Sequence, residues 1–303
     1  MSASNAAISP VPEPSNEPPT SAQVERAARA LIGWMKPDDA GRVLLSNRGD
    51  ATPGQEHLEA VRIAREAVAA RGEGVDQTDL VTSRPTELDP HMEALKRNAA
   101  AAALLAEGWD VALVDLRRVC GFQPLVFSDQ AVERVRGIDA GDLAAIARVA
   151  LPVSTNVELP IQFDQVRQAW MVSSANPNLG IAGPAGPIQT PQQVPVLGFG
   201  VTVSASFVQV VRYRNRYFLR DGYHRAYGFL SRGIAVVPAF VREMTAFEEM
   251  VPDPRLMLPQ DSYRGPRPPV LVDYLDDTVS APVRVPAAHK MVVVQALELQ
   301  PIG

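Results

Sequence analysis

The 303-residue chain carries a single cysteine, Cys120, which excludes an intrachain disulfide and any multi-cysteine zinc or iron–sulfur centre. Cys120 lies in the run Val119-Cys120-Gly121-Phe122, where a small buried thiol is expected. Lysine is almost missing: of 29 basic residues only Lys36, Lys96 and Lys290 are lysine. An excess of positive charge is missing too. The formal net charge is -5, which argues against bulk electrostatic binding to nucleic acid or an anionic membrane. No apolar run approaches the roughly 18–20 residues of a membrane-crossing helix. The N-terminus lacks the basic region and apolar core of a secretory signal, so the expected location is the cytoplasm.

Several chemical signatures are also missing. There is no Gly-x-x-x-x-Gly-Lys-Ser/Thr phosphate loop, no Gly-x-Ser-x-Gly elbow and no His-Glu-x-x-His zinc helix. His57, His91, His224 and His289 are too scattered to define a metal site, and none is expected. Signatures that read RNA or DNA are absent.

What is present is enough for a fold. Hydrophobic residues make up 46% of the chain, sufficient for a sizeable core in one large or two ordinary domains. The first 20 or so residues are proline-rich and polar and read as a disordered tail. Ser21 is placed to cap a helix to Met35, with Val24, Ala27, Ala28, Leu31 and Met35 on one face and Pro37 ending it. A second helix is predicted over 55–71. A third starts at Asp89 as N-cap with Pro90 in its first turn, and stops at Gly108. Its Met92, Leu95, Ala99, Ala102 and Ala106 form a stripe suited to close helix packing. From Trp109 the texture changes: 111–116 reads as a strand, Ser128 caps a short helix, and Asp142 starts another. The prolines and glycines of 175–195 predict a long loop, a lid or an insertion. Near the C-terminus, 283–285 and 291–299 read as strands flanking a turn.

The chemistry concentrates in 207–243. Alternation over 207–220 predicts a hairpin with Arg214-Asn215 as its turn, Asn tolerating the left-handed conformation. A helix follows from about Gly222 to Arg232, packed through Tyr223, Ala226, Tyr227 and Leu230, and then a buried strand over 234–241. Asp221 and Gly222 therefore stand where a strand becomes a helix. Unpaired amides and the positive end of the helix dipole suit that point to an anion, and Gly222 admits close approach. Five arginines (212, 214, 216, 220 and 225) against one aspartate make a local cationic field whose natural guest is phosphate. Each residue also has a plainer reading: Asp221 as helix cap, Gly222 as turn former, His224 as structural hydrogen-bonder, Arg225 as partner of a carboxylate. The cluster as a whole carries the functional reading.

The run Leu219-Arg220-Asp221-Gly222-Tyr223-His224-Arg225-Ala226-Tyr227-Gly228-Phe229-Leu230, with Gly233 and Val237-Pro238-Ala239-Phe240-Val241-Arg242-Glu243, resembles the ParB N-terminal/sulfiredoxin-like superfamily. The resemblance spans about 37 residues, with Asp115 to Val119 and the Ser128 helix as its entry segment. It implies a turn that binds nucleotide phosphates, with a nucleotide and Mg as the implied cofactor. The departures are specific. Sulfiredoxins carry a catalytic cysteine where this chain has Tyr223, so sulfiredoxin chemistry is not expected. Chromosome-partition members have Gly-Glu-Arg-Arg, against Tyr223 and His224 at the second and third positions here, and they continue into a helix-turn-helix domain. Free-serine kinases are a third branch, for which the chain shows no second motif.

The expectation is thus an α+β protein. A tail at 1–22 precedes a helical region at 23–108, and a ParB/sulfiredoxin-like domain at 109–245 is followed by a proline-rich extension at 246–303. The expected function is binding of a nucleotide or another phosphate-containing small molecule. Gly222, Tyr223, Arg225 and Arg220 would bind the ligand, and His224 or Asp221 would serve as acid or base in phosphoryl transfer or hydrolysis. The alternative is a non-catalytic scaffold that meets a protein partner through its helical region.

Overall fold

The computed structural model describes residues 25–45, 52–154, 159–174, 176, 178–189, 195–250, 257–287 and 290–296. The tail expected at 1–22 and the Ser21 cap lie outside these residues. The chain is an α+β protein in which helices alternate with strands, and among the described residues the strands form four mixed or antiparallel sheets.

The first element corrects the sequence reading. Glu25–Ala30 is a strand, β1, not a helix. It pairs antiparallel with β12 (Ala281–Pro286) on one side and with β4 (Leu125–Phe127) on the other. Alanine spacing suits a helix, but both edges of this segment are taken up by sheet hydrogen bonds, and Ala28 and Ala30 are buried between them. Tertiary pairing outweighs local propensity. Pro37, expected to end a helix, instead opens one, α1 (Pro37–Leu44), where its missing N–H costs nothing.

Helix α2 (Gln55–Ala70) follows the predicted span closely. The predicted third helix is two: α3 (Asp89–Lys96) and α4 (Ala99–Ala106). Asn98 divides them. It is extended, its side chain accepts from the Ala101 amide at 3.0 Å, and its Nδ2 donates to the Val153 carbonyl. The break turns the stripe, so that Met92, Leu95 and Ala101 are buried while Ala99 and Ala106 face solvent.

A five-stranded sheet carries the rest of the core. Its order is β10 (Arg216–Asp221), β9 (Gln209–Tyr213), β11 (Val236–Met244), β3 (Asp110–Asp115) and β2 (Val81–Ser83), with β9 and β11 parallel. The valine-rich β9 is an interior strand, between β10 and β11, and is buried at every position but Arg212. The β9–β10 turn is as predicted, except that Arg214, not Asn215, takes the positive φ, 55°. Helix α5 (Ser128–Arg134) continues directly from β4, and α7 (Tyr223–Ser231) from β10. These two helices meet at Gly228, where an added Cβ would stand 2.3 Å from the Ala131 carbonyl oxygen.

The described part of the loop expected at 175–195 is also corrected. Leu179–Gln189 is a strand, β7, paired with β8 (Pro195–Val203) across two register shifts. Bulges accommodate its glycines and prolines, Gly183 at a φ of 115° among them. The two C-terminal strands do not form a hairpin. β12 joins β1, whereas β13 (Lys290–Gln295) joins β6 (Ala169–Ser174), which also pairs with β5 (Ile161–Asp164). The sheet of β12, β1 and β4 thus ties the N-terminal, central and C-terminal segments into one core, with a small separate cluster at Val172, Leu179 and Val203.

Candidate functional site

The turn between β10 and α7 is built on Gly222. Its φ of 93° is left-handed, and an added Cβ would lie 2.9 Å from Val208 Cα and 3.2 Å from the Phe207 carbonyl oxygen. Glycine is required here both by conformation and by space. Gly222 itself occupies the N-cap, and no side chain caps the helix. Asp221 is therefore not the cap. Its Oδ1 accepts from the Gly222 amide at 2.6 Å and its Oδ2 from the Ser206 hydroxyl at 2.9 Å. The amides of Tyr223, His224 and Arg225 are left in the first turn without an intrahelical acceptor, at the positive end of the dipole.

Above this turn lies a cavity of about 410 Å³, whose wall includes all six residues singled out in the sequence. Arg225 and Arg220 are there as expected. Arg225 Nη1 donates to Ser206 Oγ at 2.9 Å, completing a chain from Arg225 through Ser206 to Asp221. Arg220 Nη1 donates to Gln209 Oε1 at 2.6 Å, and its guanidinium lies over the Trp109 ring. Arg212, Arg214 and Arg216 do not join them. Arg212 approaches Glu243, Arg214 covers Tyr213, and Arg216 donates to the backbone carbonyls of Tyr263, Arg264 and Gly265. Arg216 and Arg220 stand near opposite ends of β10 and Arg214 lies in the turn that precedes it, so three of the five arginines of the apparent local field are elsewhere.

Two arginines that no local pattern marks take their place. Arg134 comes from the last turn of α5 and Arg26 from β1. Four guanidinium groups thus line the wall against one carboxylate, Asp221, with Asp129 standing 3.7 Å from Arg26. The crowding shifts the neighbouring guanidinium groups. Burial, then Arg134, pulls Arg225 down to about 10, with Asp221 opposing. Arg134 is lowered by burial as well, with Asp221 opposing and Arg26 adding to the shift. Both remain cations at neutral pH, held in a field that an anion would relieve.

His224 stacks on Phe127, with ring centroids 5.4 Å apart and planes 12° from parallel. Burial pulls its imidazole down to about 4, assisted by Arg134, Arg225 and Arg26 and opposed by Asp129. His224 is therefore neutral at pH 7, with desolvation the larger cause and the neighbouring arginines the smaller. Its Nε2 is shielded from solvent without a hydrogen-bond partner, as are Gln123 Oε1 and Arg220 Nε on the same wall.

Tyr223 is the residue whose assignment changes most. Its hydroxyl donates to the Leu219 carbonyl at 2.8 Å and accepts from the Phe122 amide at 2.9 Å, and burial pushes its pKa far above the ordinary value. The phenol braces the turn from beneath, so Tyr223 has only its backbone amide to offer a ligand. Cys120 is buried and its thiol is pushed up to about 12, chiefly by desolvation, which leaves it unreactive.

The donor set does not fit a protein-held divalent cation. Asp221 is the one wall carboxylate, both its oxygens are engaged, and four cations surround it. Among the described residues no group of three or more His, Cys, Asp or Glu side chains is placed to hold a metal ion. Among those residues, too, no helix is long and apolar enough to cross a membrane. No protein-family model, no curated protein and no solved structure matches this chain, so the site is read from its own chemistry.

Proposed function

We propose that this protein binds a phosphate-bearing small molecule, a nucleotide or another phosphorylated metabolite, in the cavity above the Asp221–Arg225 turn. One observation carries the reading: Arg26, Arg134, Arg220 and Arg225 converge on a cavity floored by an uncapped helix N-terminus. Guanidinium groups match phosphate oxygens bidentately, and the free amides of a first helical turn add directional donors. The resemblance of 219–243 to the ParB/sulfiredoxin-like turn supports the same ligand class. Neutral His224 beside a bound phosphate is the candidate general base, and such a group contributes roughly a hundredfold to ten-thousandfold in rate where turnover occurs.

The test is thermal stability in the presence of inorganic phosphate, pyrophosphate, nucleotides and phosphorylated metabolites. A ligand of the folded state at a hundred times its Kd adds about 2.7 kcal/mol. Arg225→Ala and Arg134→Gln should each abolish the rise while the ligand-free proteins still fold. No rise with any compound at millimolar concentration would refute the proposal and favour a non-catalytic scaffold.

A further inference from the structure

The arginines account for only part of the cavity lining. Five carboxamides also line it: Gln123, Gln130, Asn176, Asn178 and Gln209, the last accepting from Arg220. They come from four separate segments, including Asn176 and Asn178 at the base of the β7–β8 hairpin, so the clustering is a product of the fold and not of local composition. Ser206 adds a hydroxyl. Carboxamides and hydroxyls both donate and accept, and they suit a ligand whose body is a set of alcohols.

A nucleobase needs something different, an apolar slot or an open aromatic face. No aliphatic side chain among the described residues lines the cavity. Its aromatic rings are already engaged. Phe127 is stacked by His224 and approached by the Arg26 guanidinium, and the buried Tyr223 ring packs edge-on against Phe122. Arg220 covers Trp109 behind the wall. The volume, about 410 Å³, exceeds what a lone phosphate fills. Gln123 Oε1, Arg220 Nε and His224 Nε2 lack hydrogen-bond partners in this side-chain arrangement, so a modest rotation toward a hydroxylated guest satisfies groups that are otherwise idle.

Building on the phosphate-binding reading above, we infer that the ligand is the phosphomonoester of a polyhydroxylated compound, a sugar phosphate or polyol phosphate, recognised through its hydroxyls and without a base. The phosphate sits on the arginines and the first turn of α7, and the hydroxyls face the carboxamides.

Equilibrium binding to the full chain distinguishes the possibilities, with inorganic phosphate, ribose 5-phosphate, glucose 6-phosphate, AMP and ATP as probes. Ribose 5-phosphate and AMP share the phosphorylated ribose and differ by the base. The expected result is that at least one sugar phosphate binds about tenfold or more tighter than inorganic phosphate and no weaker than AMP. Gln130→Ala combined with Asn178→Ala should remove that advantage and leave the affinity for inorganic phosphate unchanged, a separation that misfolding cannot produce. AMP or ATP binding tighter than both sugar phosphates would overturn the inference and leave the phosphate reading intact. So would equal affinity for all five probes. Binding of none would overturn both.

Discussion

Replacing Gly222 by alanine isolates the physical basis of the turn. At a φ of 93° an L-residue pays about 1–2 kcal/mol for the left-handed conformation. Alanine also recovers about 0.4–1 kcal/mol from the unfolded state. The third contribution is steric. The new Cβ would stand 2.9 Å from Val208 Cα, and Val208 has no room to yield: its amide donates to the Ala150 carbonyl and its carbonyl accepts from the Phe240 amide, each at 2.9 Å. Overpacking against fixed backbone costs about 1–3 kcal/mol. Gly233 supplies the internal control. Its φ of 76° is similarly left-handed, but nothing lies within 4 Å of an added Cβ, so Gly233→Ala bears the first two contributions alone. Urea denaturation of the two variants should therefore place Gly222→Ala below Gly233→Ala by about 1–3 kcal/mol, at unchanged m-value. Stabilities within about 0.5 kcal/mol of each other would refute the close-approach argument, because ordinary surface changes already scatter that widely.

Three further outcomes follow from the same geometry. His224 titrates at about 4 in the folded protein against an ordinary 6.5, so its contribution is full above 6.5 and is lost as pH falls toward 4. His224→Asn should therefore lose less stability than the wild type between pH 6.5 and about pH 5, by about 1.5 kcal/mol in urea midpoints taken at both values. Gly228→Ala drives a Cβ into the Ala131 carbonyl oxygen, and it should cost about 3 kcal/mol by denaturation. It should also weaken the thermal response to phosphate compounds, since α5 carries Gln130 and Arg134. Arg71 donates to the buried Asp273 at 2.6 Å and to Asp276 at 2.7 Å, and Arg71→Met should cost about 3 kcal/mol at pH 7 by leaving the first carboxylate buried and unpaired. Burial already holds the Asp273 pKa above the ordinary carboxylate value, so this penalty should shrink when the measurement is repeated at progressively lower pH, as the carboxyl takes up a proton.

Local chemistry made part of this protein legible before any coordinates. The β9–β10 hairpin, the Gly222 turn, α7 and β11 follow from alternation, helical spacing and one glycine, all within about 37 residues. Those signals are short-range, and the structure keeps them. Where partners lay far away in the chain, local reading failed. The alanine-rich Glu25–Ala30 carries helical spacing and becomes a strand because β4 and β12, about 100 and 250 residues distant, saturate both its edges. Asn98 divides a continuous apolar stripe because the Val153 carbonyl is there to receive its side chain.

The site divides in the same way. The sequence alone determined that a glycine turn opens a helix at Asp221–Arg225, because backbone conformation and the helix dipole are properties of consecutive residues. Tertiary structure alone decided which charges face it. It turned Arg212, Arg214 and Arg216 away, brought in Arg26 and Arg134, committed the Tyr223 phenol to the turn, and added five carboxamides to the cavity lining. A side chain's neighbours across a cavity depend on sheet register and helix packing, and these are settled only when the whole core closes.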